Sequence, residues 1–311
     1  MVQNNKMTEI ERVKVSMKSQ DNHGDLVIDA KDHAQKTHLN GVLLIMVSAV
    51  VFSTVGIFVK GIEAPAWDII FWRGLFSAGF TIIWTVKRGT FKKNFYNIGG
   101  SGWAAVIIGA SGSAAFISAL KITSIANVSL IYAAAPLVAA LIAWLWVGER
   151  VTFKMFLACL FAIMGVGIIV WGSIGEANLL GDLLAFWMAF SMAIFMVIYR
   201  RFPNTPSAGP VVLSSLLLLP FAFILGNPFA VPLDELAILV AFGVVFAVAS
   251  VTFTEGAKRV PSGQAALLSA LETPLAPIFA WLVFAEFPAQ ATWVGGALIL
   301  IAVSSTLWKS K

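Results

Sequence analysis

Apolar and polar positions alternate along this chain on the scale of whole helices. Ten apolar stretches of about 20 residues run over residues 39–59, 66–86, 101–120, 124–147, 153–172, 179–199, 207–226, 236–256, 261–284 and 291–308. That length is what a helix needs to cross a bilayer. The links are short and marked by Gly, Pro or charge, and the third passes to the fourth through only Lys121 to Thr123. The pattern predicts an all-α membrane protein with ten transmembrane helices. It divides into a tail at 1–37, a first group of five helices at 38–173 and a second at 174–311.

Charge gives the expected orientation. When the links are assigned alternately to two sides, the side holding both termini collects 18 of the 21 Lys and Arg. They are the tail residues up to Lys36, then Lys87, Arg88, Lys92, Lys93, Arg150, Lys154, Arg200, Arg201, Lys258, Arg259, Lys309 and Lys311. The other side has Lys60 and Lys121, and Arg73 falls within a span. Positive links stay cytoplasmic, so both termini are expected inside, in a multi-pass protein of the cell inner membrane. A missed helix would scramble the asymmetry.

Composition excludes several classes. The chain is 59% hydrophobic and 12% charged, about half the charge of a soluble domain. The net charge of +5 is accounted for by anchors facing anionic headgroups, not by nucleic acid. The single cysteine, Cys159, forms no internal disulfide, and the three histidines all precede or begin the first span. No zinc site, Ser–His hydrolase or other cofactor is expected in the membrane. Residues 1–37 balance six acidic and six basic residues without an apolar run, which reads as a disordered cytoplasmic tail.

The two groups of five resemble each other. Ala143-Trp144-Leu145 with Glu149 closes the fourth span, and Ala280-Trp281-Leu282 with Glu286 closes the ninth, 137 residues later. Gly41/Gly181, Leu43/Leu183 and Leu44/Leu184 match at an offset of 140. Five is odd, so the second copy enters from the opposite side. Two inverted five-helix repeats are a transporter architecture, with a site near the midplane and two faces that open in turn.

These residues carry a family resemblance. Residues 129–170 read SLIYAAAPLVAALIAWLWVGERVTFKMFLACLFAIMGVGIIV, and residues 266–286 read ALLSALETPLAPIFAWLVFAE. With Arg73, Gly181-Asp182, Pro136, Pro274 and Pro277, they resemble the EamA family of the drug/metabolite transporter superfamily. The resemblance covers residues 39–308. It implies ten helices in inverted repeats, both ends inside, with the fifth and tenth helices outside a basket formed by the others. It also implies small metabolites as substrates, often in export. The family's ninth helix often has adjacent Glu-Pro, whereas here Thr273 separates Glu272 from Pro274.

Several polar residues at membrane depth are candidates for substrate binding. Glu272 lies near the middle of the ninth span, where a carboxylate costs several kcal/mol unless it meets water or a partner. It suits a proton carrier or a cation ligand, or else bends the helix with Pro274 and Pro277. Gln264, Leu268 and Glu272 follow at i, i+4 and i+8, which predicts Gln264 and Glu272 on one face. Arg73 can grip a carboxylate, pair with Asp68, Glu63 or Glu286, or snorkel to the headgroups. In the fourth span, Ser129, Tyr132 and Pro136 share a face near Asn127, and Pro136 is expected to free a mid-helix carbonyl. Ser53 adds a polar point from the first span. Most tryptophans fall near span ends, as interfacial belts do; Trp72 and Trp187 are deeper. Glu149 and Glu286 end their spans at opposite faces, as gates or helix anchors, and Glu255 is expected to pair with Lys258 and Arg259.

No nucleotide-binding G-x-x-x-x-G-K-[ST] segment occurs, so ATP drive is not expected. The sequence reads as a secondary transporter or facilitator for a small polar metabolite: an amino acid, amine or related zwitterion or cation. Export by alternating access is the first reading, with possible proton coupling, as monomer or homodimer. Uptake of an organic cation or zwitterion is the alternative. An intramembrane enzyme is remote, because Glu272 has no deep carboxylate partner.

Overall fold

The computed structural model describes residues 34–55, 58, 62–123, 128, 131–171, 178–284 and 290–307. By internal contacts, residues 1–40 and 41–311 are separate units, and the packing described below is all within 41–311. The described residues form helices and no strand. In chain order these are α1 (Ala34–Ser53), α2 (Ala66–Lys87), α3 (Phe91–Phe95), α4 (Gly99–Ile122), α5 (Ala135–Val147) and α6 (Phe153–Val170). Then come α7 (Leu179–Arg201), α8 (Ala208–Leu225), α9 (Leu233–Ala257), α10 (Ser262–Ser269), α11 (Glu272–Phe284) and α12 (Gln290–Leu307). Six of them, α1, α2, α4, α7, α8 and α9, are long and apolar enough to cross a membrane, while α5, α6 and α12 are shorter apolar helices.

The short helices mark where the pattern misleads. The fourth and ninth apolar stretches look continuous, yet each contains a half-helix of 13 residues, α5 and α11. Their first residues are 135 and 272 and their last are 147 and 284, so both ends keep the offset of 137. The next pair, α6 and α12, keeps it too, from 153 and 290 to 170 and 307. Two expectations change as a result. Pro136 is at the second position of α5 rather than in mid-helix; its missing N–H has no partner to lose there, and its fixed φ suits a helix start. Gln264 and Glu272 lie on different helices, α10 and α11, so helical spacing does not align them on one face.

Packing pairs equivalent helices. Helix α2 packs on α8 and α9, α4 on α7 and α8, α5 on α7 and α10, and α6 on α12. The α2–α9 contact has its counterpart in α4–α8. The α6–α12 contact joins equivalent helices at close range, since a Cβ on Gly165 would lie 2.6 Å from the Gly295 carbonyl oxygen. Small residues let membrane helices approach to backbone distance. Many large apolar side chains face outward, including Leu43, Ile83, Leu145, Ile224 and Leu233. A surface this apolar requires lipid, not water, as its solvent.

Helix ends are fixed by identifiable groups. Thr152 caps α6 by accepting from the Met155 N–H, and Asn178 caps α7 by accepting from the Gly181 N–H. Helix α5 ends at Gly148, whose φ of 76° is left-handed, a conformation open to Gly at little cost. That turn carries the chain directly into Glu149.

Candidate substrate-binding centre

The breaks in the fourth and ninth stretches bring chemistry together. At the second break, the Ala270 N–H is shared between Ala266 and Leu267 carbonyls, and Leu271 donates to Leu268. These tight bonds end α10, and α11 restarts with Glu272 in its first turn. A helix N-terminus carries partial positive charge that favours a carboxylate. At the first break, Ala134 donates to Ile131. Tyr132 stands just before α5, within electrostatic reach of Glu272. No side-chain hydrogen bond or ion pair of Glu272 or Tyr132 occurs among the described residues.

Shared aromatics link the cores beside these residues to the core of Phe242, which lies beside Arg73. Phe52 packs against the core holding Leu268, Ala270 and Leu271, and also against the core holding Phe242. Phe116 packs against that second core and against the cluster of Val128 and Tyr132. Arg73 is only 1% exposed, so it does not snorkel. Its guanidinium carbon lies 3.9 Å from the Phe246 ring centre and 5.7 Å from that of Phe242. Nη2 donates to Ser113 Oγ at 2.7 Å, while Nε finds no acceptor among the described residues. Arg73 makes no ion pair there either. Asp68 instead accepts from the Asn227 N–H at 2.6 Å, and Glu63 and Ala64 donate their backbone N–H groups to Glu235.

The other candidates that the structure describes make contacts of their own. Trp72 donates to the Pro228 carbonyl at 2.7 Å and stacks on Phe76, closing the bundle near the start of α2. Trp187 is 41% exposed on the outer surface of α7. Gln264 donates to the Thr306 carbonyl of α12, and Ser53 to the Val50 carbonyl one turn back. Pro274 is buried in the first turn of α11, next to Gly296 of α12. Asn127, Ser129, Glu286 and the side chain of Pro277 lie outside the described residues.

One end of the bundle gathers the basic links. Glu149 accepts from Arg200 Nε at 2.6 Å through one oxygen and from the Ser262 N–H at 3.1 Å through the other. It therefore ties the end of α5 to the end of α7 and the start of α10. Glu255 pairs with Lys258 and Arg259, as the sequence led us to expect, and also accepts from Ser207. Burial works against the Lys258 ammonium and holds it below the usual lysine range, although Glu255 pulls the other way. Two surface hollows, of about 440 Å³ beside Tyr96 and Trp103 and about 540 Å³ beside Trp144 and Arg150, involve none of the central residues.

Sequence reasoning missed Phe242 and Phe246 as neighbours of Arg73, and Ser77 beside it. The only signal was spacing: the two phenylalanines are one turn apart on α9 and flank Gly243, against which α2 packs closely.

Comparison with known proteins agrees with this architecture. The model of the EamA-like transporter family matches twice, over residues 39–171 and 179–308. A riboflavin transporter of Vibrio cholerae serotype O1 is 27% identical over 181 residues, 57% of this chain and 60% of that protein. The aligned part thus spans under two thirds of that relative. A pseudopaline exporter of Pseudomonas aeruginosa is 26% identical over 280 residues, 85% of this chain and 94% of that protein. A solved crystal structure superposes with a TM-score of 0.76 at 20% identity, covering 85% of this chain and 96% of its own; that likeness concerns the fold alone.

Proposed function

This chain belongs to the EamA-like transporter family, a multi-pass membrane transporter, and from that premise we propose that it is a secondary carrier moving a small polar metabolite by alternating access. In this reading ten helices form two inverted repeats, with both termini cytoplasmic. The substrate is an amino acid, amine or related zwitterion or cation. The alignment with an exporter over 94% of its length supports outward movement.

The observation that carries the proposal is the matched pair of half-helices, α5 and α11, with Tyr132 and Glu272 at their starts. Interrupted helices near the repeat interface are where carriers of this kind bind substrate and coupling ions. A carboxylate in such a place binds a proton or an ammonium group, but not both together. Competition for it gives antiport: the amine-bearing substrate moves one way and a proton returns.

The test uses the full chain in liposomes, with a mixture of labelled metabolites and a pH gradient of either sign. Flux of an amine-bearing metabolite should follow the gradient. Glu272→Gln keeps the volume, removes the charge and should uncouple flux from the gradient while passive exchange continues. Flux indifferent to the gradient would make the protein a facilitator. Gradient-driven flux that survives in Glu272→Gln would move the proton to another group. No flux of any metabolite would remove the transport reading.

A further inference from the structure

We propose that Arg73 is the seat for a carboxylate on the transported molecule, so that the substrate is an amino-bearing acid rather than a simple amine. The inference rests on the carrier reading above and narrows its substrate class.

A buried cation normally has a buried anion beside it, because an unpaired charge costs several kcal/mol. Arg73 is among the most buried side chains of the bundle, yet no carboxylate pairs with it among the described residues. Two carboxylates on α2 and α9, the helices that pack together at Arg73, are engaged elsewhere. Asp68 holds the Asn227 N–H, and Glu235 holds the N–H groups of Glu63 and Ala64.

The surroundings supply donors instead. Ser113 accepts from Nη2 and still has its own hydroxyl hydrogen to give. Ser77 lies one turn along α2 from Arg73, is 1% exposed, and its hydroxyl finds no partner among the described residues. Nε is free in the same sense. The Phe246 ring at 3.9 Å takes one face of the guanidinium and leaves its edge. Guanidinium edges bind carboxylates through parallel N–H···O bonds in the plane. A guanidinium stacked on a ring, with an unused edge donor and two serines beside it, matches a carboxylate in charge and shape. Phe246 meets Phe52 edge to face, and Phe52 packs against the core that contains Leu271, the neighbour of Glu272, so in this proposal Glu272 takes the amino group.

The experiment is a thermal-shift titration of the purified full chain in detergent. Probes are the standard amino acids, each matched with its carboxamide, and inorganic phosphate as a control anion. At least one amino acid should raise the Tm by several degrees at millimolar concentration, with its carboxamide giving less than a third of that shift. Arg73→Gln should abolish the difference. Arg73→Lys keeps the charge but loses the planar edge and should weaken binding about tenfold. Ser113→Ala leaves Arg73 in place and should weaken it several-fold, so the test survives if Arg73→Gln fails to fold.

Equal shifts from acid and carboxamide would overturn the proposal, and so would a shift that persists in Arg73→Gln, or no shift from any amino acid. A shift by phosphate as large as that by any amino acid would mean an adventitious ion only, and would also overturn it. Binding that depends on Arg73 without flux in liposomes would remove the carrier reading but keep the seat. Flux indifferent to both Arg73 and Ser113 would do the reverse.

Discussion

Removing the negative charge of Glu149 should open the end of the bundle that carries the basic links. Its carboxylate joins three helices through Arg200 Nε at 2.6 Å and the Ser262 N–H at 3.1 Å. A hydrogen bond to a charged group contributes about 1.5–3 kcal/mol. The Arg200 side chain is 32% exposed, so solvent screening brings that arm down to about 1 kcal/mol. The Ser262 arm lies at the first turn of α10, where the helix dipole adds about 0.5 kcal/mol. Glu149→Gln keeps an acceptor and loses the charge, for a net cost of about 2 kcal/mol to the closed arrangement, or roughly a thirtyfold shift in the closed-to-open ratio. The chain has one cysteine, Cys159, and it is fully buried, so an introduced cysteine can be followed alone. Ala266, one turn into α10 and 3% exposed, is the reporter position. In Ala266→Cys protein, maleimide labelling should be slow and should quicken at least tenfold when Glu149→Gln is added. Arg200→Gln should give part of the same increase, and the double variant little more, because the two groups act through one contact. Labelling unchanged in Glu149→Gln would refute the clasp.

Two further expectations follow from packing and charge. Gly165→Leu drives a side chain into the Gly295 backbone and should destabilise the α6–α12 contact by about 1–3 kcal/mol, read as a lower Tm. Gly167→Leu, where a Cβ meets nothing within 4 Å, is the control and should change the Tm little; equal losses would show that the close approach does not matter. A reporter after Lys311 should be cytoplasmic and one inserted near Asn227 external. Reporters on the same side of the membrane would remove the inverted arrangement.

The helical segments were legible because lipid imposes length and apolarity on any helix that crosses it. Helices α2, α4 and α9 begin or end within about three residues of the apolar stretches that foretold them. The breaks were not legible. Ala270-Leu271-Glu272 contains neither Gly nor Pro, and an apolar run gives no cue that its hydrogen-bond ladder tightens and restarts. Pro136 was visible but ambiguous, since the same residue kinks a helix or begins one. That Arg73 has no ion pair among the described residues was hidden for a different reason. Asp68 is five residues away and looks like its partner until the chain folds and the Asn227 N–H claims that carboxylate.

The repeats also differ where the chemistry lies. Helix α11 begins with Glu272, while its counterpart α5 has no ionisable residue. Helix α2 contains Arg73, while its counterpart α8 has none. The duplicated backbone provides two equivalent breaks, and the charges on its helices differ between repeats: α2 carries Arg73 and Asp68, the latter held by the Asn227 N–H, while α11 carries Glu272. Two copies of either charge facing each other across the centre would repel at short range in a medium that screens poorly. On the proposed carrier reading, one of each makes a dipolar centre, which a zwitterion complements better than a singly charged molecule does.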